Sequence, residues 1–165
     1  MSCGNIGRMT FKTLYLMRHA TPDWDRKDIP YHLPPGPPLT RLGLAEAAAL
    51  GEFLKTTEVC KLYASPLERT LHTAQIAAQI AGIDFSVDER LKELQPGDTP
   101  KSVWDRVASM VEQAIAEASL APVGLVSHGG PVGVILEQLG IDQAILKSRV
   151  FDHGNYIPPT GVGLA

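Results

Sequence analysis

At 165 residues the chain is long enough for one domain with a proper core and little to spare. Charged residues make up 20% and hydrophobic ones 44%, which excludes a disordered chain, a collagen-like repeat and a disulfide miniprotein. The net charge of −3 points to no nucleic-acid or membrane partner read through bulk charge, so any anion site needs locally concentrated cations. Cys3 and Cys60 are too few for a disulfide framework, and they read as a thiol in a polar tail and a half-buried one. The apolar stretches fall far short of the ~20 residues that span a bilayer, and the N-terminus shows no apolar signal segment. A cytoplasmic location is the expectation. Residues 1–10 read as a flexible N-terminal extension, with Met9 as good a start as Met1, ahead of a single domain over 11–165.

The run Thr13-Leu14-Tyr15-Leu16-Met17 lacks helical spacing and reads as a buried strand. A loop runs next from His19 to Leu39, in which Pro30, Pro34, Pro35, Pro37 and Pro38 forbid helix or central strand. A segment of that length in a small domain is expected to be functional. Thr40 caps a helix to about Lys55, with Leu42, Ala45, Ala49 and Phe53 expected on its buried face. Leu62 to Ala64 is a second strand. Ser65-Pro66-Leu67-Glu68 reads as a capping box that opens a helix ending at Gly82. Asp84 to Val87 is a weaker third strand, and Thr99-Pro100 opens a helix with Val103, Val107, Val111, Ile115 and Ala118 in register. Pro122 to Ser127 is a fourth, Val-rich strand, followed by a helix from Gly129 to about Leu139. The tail from Arg149 adds an edge strand before the Pro158-Pro159 break.

Strands alternating with amphipathic helices predict an α/β fold: a single-domain, doubly wound, mostly parallel sheet with helices on both faces. Ligands in such sheets bind beyond the carboxyl ends of the strands, so the residues just past each strand are the informative ones. Arg18 and His19 stand after the first, and Ser65 and Arg69 after the second. Glu89, Arg90 and Glu93 come after the third, and Ser127, His128, Gly129 and Gly130 close the fourth. Two histidines, two or three arginines and a carboxylate therefore converge on one edge. The arginine forks and the N-terminus of the Ser65-capped helix suit that edge to an anion. Metal ligation by His19 and His128 lacks a third ligand at useful sequence spacing.

These residue types match phosphoryl transfer. An imidazole can take phosphorus as a phosphohistidine, with Arg18, Arg69 and protonated His128 neutralising the equatorial oxygens. A carboxylic acid of raised pKa, Glu93 or its competitor Glu89, can protonate the leaving alkoxide.

The chain resembles the histidine phosphatase superfamily, in its phosphoglycerate-mutase-like branch. Leu16-Met17-Arg18-His19-Ala20 resembles the opening Arg-His-Gly motif with Ala for Gly, and Leu39-Thr40-Arg41-Leu42-Gly43 resembles the start of the family's first helix. Ser65-Pro66-Leu67-Glu68-Arg69-Thr70 and Val126-Ser127-His128-Gly129-Gly130 resemble its later motifs, and Arg90-Leu91-Lys92-Glu93 the segment bearing its acid. The resemblance implies His19 as phosphorylated nucleophile, Arg18, Arg69 and His128 as phosphate pocket, Glu93 as proton donor, and no metal or organic cofactor. Family members often carry Asn where Asp25 stands. A carboxylate there would repel a phosphate dianion unless paired or turned away, which marks Asp25 as a substrate-loop residue. The link from Glu93 to the next helix is short and the tail after the last predicted strand brief, where mutases build a lid. An open site favours water as acceptor, and so a phosphatase over a mutase.

The leading expectation is a metal-independent phosphomonoesterase acting on small phosphate esters. A protein phosphohistidine phosphatase and a non-catalytic phosphate- or phosphopeptide-binding module are the alternatives, the latter supported by Asp25. The partner is accordingly a phosphorylated small molecule or a phosphoprotein.

Overall fold

The computed structural model describes residues 13–141 and three short strand segments, 151–152, 155–156 and 163–164. The expected extension over 1–10, with Cys3, lies outside them. Five strands form the main sheet: β1 (Leu14–Arg18), β2 (Lys61–Ala64), β3 (Asp84–Val87), β4 (Val123–Ser127) and β7 (Gly163–Leu164), in the order β3-β2-β4-β1-β7. The first four are parallel and β7 runs antiparallel to β1, so the sheet is mostly parallel as expected. β5 (Phe151–Asp152) and β6 (Asn155–Tyr156) pair only with each other. The tail strand that joins the main sheet thus lies after the Pro158-Pro159 break and not before it.

Period-two alternation along these strands builds a core on each face. Leu14, Leu16, Tyr63, Val123 and Leu125 point to one side, against α3 (Pro100–Glu117) and α4 (Gly129–Gln138). Met17, Leu62, Ala64 and Val126 point to the other, against α1 (Arg41–Leu54) and α2 (Glu68–Ala81). The chain moves outward through β1, β2 and β3 on one face and returns to β4 on the other, which makes the sheet doubly wound.

Two helical expectations are corrected. The buried face of α1 is Gly43, Ala47, Gly51 and Leu54, whereas Leu42 and Phe53 are 62% and 43% exposed. The reason is close backbone approach. A Cβ on Gly43 would lie 2.2 Å from the Thr21 carbonyl oxygen, and one on Gly51 2.7 Å from the Ile80 Cβ. Helices that meet through glycine leave larger residues outside. Second, Ser65 does not cap α2, whose N-cap is Leu67 with no side-chain cap bond. Among the described residues a capping box stands instead at α3, where Thr99 and Ser102 bond reciprocally.

Candidate active site

Parallel pairing continues one residue past the strand ends and sets the site's floor. The His19 amide donates to the Ser127 carbonyl at 3.0 Å, the Ser65 amide to Val126 at 3.0 Å and the Asp88 amide to Ala64 at 2.8 Å. His19 and His128 therefore follow neighbouring strands, with ring centroids 5.3 Å apart. Arg69, in the first turn of α2, is fully buried and reaches across to them. Thr73, one turn further on, accepts from the Ala20 amide at 3.0 Å and donates to the Arg69 carbonyl at 2.6 Å, locking α2 to the loop after β1.

Hydrogen bonds decide which nitrogen of each imidazole faces the cluster. His19 Nδ1 lies 2.7 Å from the Ala20 carbonyl, which can only accept, so Nδ1 carries the proton and the Nε2 lone pair is left for chemistry. Arg69 Nη2 donates to His128 Nδ1 at 3.1 Å, so the proton of His128 is on Nε2 and goes to Ser65 Oγ at 2.7 Å. Ser65 is thus spent on orienting His128. Burial and the nearby Arg69 push the His19 pKa down to about 3. Burial first, then Arg69, drives that of His128 down further still. The expected imidazolium at His128 is corrected: both rings are neutral at pH 7, and the positive charge is that of Arg18 and Arg69.

Glu93 is the buried carboxylate of the site, with Oε2 3.4 Å from Arg69 Nη2 and 3.5 Å from His128 Nδ1, and Oε1 accepting from the Leu94 amide at 2.9 Å. Its backbone is held by Arg106 on α3, which donates to the carbonyls of Arg90 and Lys92 at 2.9 and 2.7 Å. The Ser127 hydroxyl adds a bond to the Leu91 carbonyl at 2.7 Å. Of the two acids, Glu93 lies in the cluster, whereas Glu89 is exposed on the short 3₁₀ turn Glu89–Leu91. Arg90 leaves the cluster as well, bound to Asp88 and Gln113.

Other expectations change with the third dimension. His19, Glu93 and His128 place ligand atoms within 4.8 Å of one another, so a third metal-ligand candidate does exist, brought in by the fold and not by spacing. Arg69 Nη2 already occupies the space between Glu93 and His128, and its charge opposes a metal cation there. At the N-terminus of α2 the Glu68 amide is already engaged, donating to the Pro35 carbonyl at 2.7 Å. Asp25 is exposed on the proline-rich loop, its amide turned to Asp23 Oδ1, and it shares no bond with the histidines, Arg69 or Glu93.

The site is also more closed than expected. Tyr31, on the same loop, places its hydroxyl 3.5 Å from His19 Nε2 and hydrogen-bonds Arg18. Its carbonyl accepts from Arg69 Nη1 at 3.0 Å, and the guanidinium lies 3.9 Å over its ring. Trp24 stacks on that ring at 4.9 Å. The sequence pattern did not single out Arg106. A lone arginine mid-helix carries no signal of the carbonyls it will meet.

The family model of the histidine phosphatase superfamily (branch 1) matches residues 14–101, more than half of the chain. The chain belongs to the histidine phosphatase superfamily. This superfamily member is 36% identical over 99 residues to a probable phosphoglycerate mutase GpmB of Citrobacter koseri, covering 60% of the chain and 46% of that protein. The chain spans about half the length of the curated relatives it matches. Among solved structures, Bacillus stearothermophilus YhfR superposes with a TM-score of 0.69 at 24% identity, over 92% of this chain and 89% of that one. A mycobacterial glucosyl-3-phosphoglycerate phosphatase does so at 0.67 and 22%, over 77% and 79%. A putative phosphohistidine phosphatase SixA from Agrobacterium tumefaciens superposes at 0.58 and 20%, over 82% and 80%. These likenesses establish the fold. Phosphatase and mutase names both occur among them.

Proposed function

We propose that the protein is a phosphomonoesterase that works through a phosphohistidine on His19 and takes small phosphate esters. The observation that carries this reading is the orientation of His19: Nδ1 tied to the Ala20 carbonyl, Nε2 unprotonated and turned to a cluster holding Arg69 and Glu93. His19 Nε2 attacks phosphorus and the ester P–O bond breaks. Arg18 and Arg69 bear the charge on the equatorial oxygens, and the leaving oxygen takes a proton from Glu93. Water then attacks the phosphohistidine and returns its proton to Glu93, and phosphate leaves with His19 regenerated. His128 positions the phosphoryl group, itself held by Ser65.

Hydrolysis rather than phosphoryl migration is supported by the charge inventory. Among the described residues, Arg26, Arg90 and Arg106 are tied to Asp28, to Asp88 and to backbone carbonyls with Asp98, respectively, and Arg41 is exposed at the start of α1. Arg69 and Arg18 are the arginines acting on His19, enough for one phosphoryl group. A buried Glu93 favours alkyl esters, whose leaving oxygen needs a proton, over a phosphohistidine substrate, whose imidazole leaves more readily.

The test is turnover of p-nitrophenyl phosphate with EDTA near pH 6, alongside acid-labile labelling of the protein by a radioactive phosphodonor. Wild type should turn over and label, and His19→Ala should do neither. Phosphate binding without turnover or label in wild type would instead make the protein a binding module.

A further inference from the structure

The nitrogen assigned to attack phosphorus already has a neighbour. Tyr31 Oη stands 3.5 Å from His19 Nε2, about where a phosphoryl oxygen or the phosphorus itself must come for attack. The same hydroxyl bonds Arg18, while the ring and carbonyl of Tyr31 engage Arg69. One loop residue thus touches every group assigned to meet the phosphate except His128. We propose that Tyr31 is a specificity-determining residue that occupies the phosphate position, so that a ligand must displace its hydroxyl and disturb its stack on Trp24 to bind. The proposal rests on the reading of this cluster as a phosphate pocket.

The loop is built for such a movement. Its stem is pinned by the Pro22–Leu39 bridge and by the Asp23 amide on the Pro38 carbonyl at 2.8 Å. Its tip from Trp24 to Leu33 is mostly exposed and carries the aromatic group Trp24, Tyr31 and His32. Displacement costs every ligand the same contacts, but ligands differ in what they recover. Free phosphate recovers only the charged interactions. An ester also sets its leaving group against the displaced rings, and apolar contact there returns part of the loss. The residue therefore discriminates ester from the inorganic phosphate released, which eases product departure.

The experiment is a titration with inorganic phosphate, which needs no turnover, read by calorimetry and by Trp24 emission in a Trp104→Phe background, since the chain has 2 tryptophans. Trp24 emission should change over the same phosphate range as the heat. Tyr31→Phe keeps the ring on Arg69 but removes the competing hydroxyl, and should bind phosphate about threefold to tenfold more tightly, as expected for one lost hydrogen bond. Tyr31→Ala should bind phosphate more tightly while losing preference for phenyl phosphate, seen as a KM that rises relative to the phosphate Kd. Unchanged or weaker phosphate binding in Tyr31→Phe, or a Trp24 signal silent while heat is released, would overturn the proposal. A protein that binds phosphate with the Trp24 response yet forms no phosphoenzyme would fail the catalytic reading and leave this one standing.

Discussion

The bond between His128 Nε2 and Ser65 Oγ, 2.7 Å long between two fully buried residues, makes Ser65→Ala a sharp test of how the site is held. The substitution removes one acceptor and leaves a buried N–H without a partner, which costs about 1–3 kcal/mol. The usual escape, moving the ring proton to the other nitrogen, is closed because Arg69 Nη2 already aims a hydrogen at Nδ1 from 3.1 Å. The ring must rotate, and that loosens Arg69 and Glu93 in turn. Ser65 Oγ also accepts weakly from the Leu67 amide at 3.4 Å, so a little of the loss is local to the start of α2. For a chain of this size a cost of about 2 kcal/mol lowers Tm by about 4–8 °C. Urea unfolding with both midpoint and slope measures that cost, and side-chain 15N spectra of histidine read the tautomer. Wild type should show His128 protonated on Nε2, and the variant should lose that signature. A destabilisation below about 0.5 kcal/mol with an unchanged His128 spectrum would refute the reasoning.

Three further outcomes are expected. Glu93→Gln should lower kcat/KM about 10²-fold or more for alkyl phosphates and only a few-fold for p-nitrophenyl phosphate, whose leaving group needs little acid help. Equal losses on both substrates would remove Glu93 from the proton-donor role. His19 titrates near 6.5 when unfolded and about 3 when folded, so between those values the unfolded chain binds more protons. Stability should be complete above pH 6.5 and fall as the pH drops towards 3, with a ceiling of about 5 kcal/mol from His19. Urea midpoints from pH 7.5 to 4.5 should show that slope, His19→Asn should reduce it to the share of His128, which burial also holds neutral, and a level profile in wild type would count against the buried neutral imidazoles. Gly43→Ala should destabilise by at least about 2 kcal/mol, because its Cβ would meet the Thr21 carbonyl at 2.2 Å. Leu42→Ala should cost less than about 0.5 kcal/mol, and a reversed order in thermal unfolding would restore the face that helical periodicity suggested.

The strands were legible in the chain because a buried parallel strand needs a short apolar run, and Leu14 to Met17 and Val123 to Val126 supply it. The site's edge was legible for a related reason: in a doubly wound sheet, residues just after strands share one rim, and His19, Arg69 and His128 occupy it. Choices among like residues were not legible. Whether Glu89 or Glu93 enters the cluster depends on a 3₁₀ turn and the residues after it, held by Arg106 and Ser127 across 14 and 36 residues of chain. Ser65 carries the local signature of a helix cap, yet a buried imidazole 63 residues on offered its hydroxyl the stronger partner. The face of α1 went astray because periodicity weighs side chains, whereas Gly43 and Gly51 bury a helix by letting backbones touch. Sequence by itself determined the layers, the order of chemistry along the chain and the rim where that chemistry gathers, since these follow from local pattern and the handedness of βαβ units. Only tertiary structure decided the protonation of the histidines, which carboxylate enters the cluster and the closure by Tyr31, because each depends on burial and on partners distant in sequence.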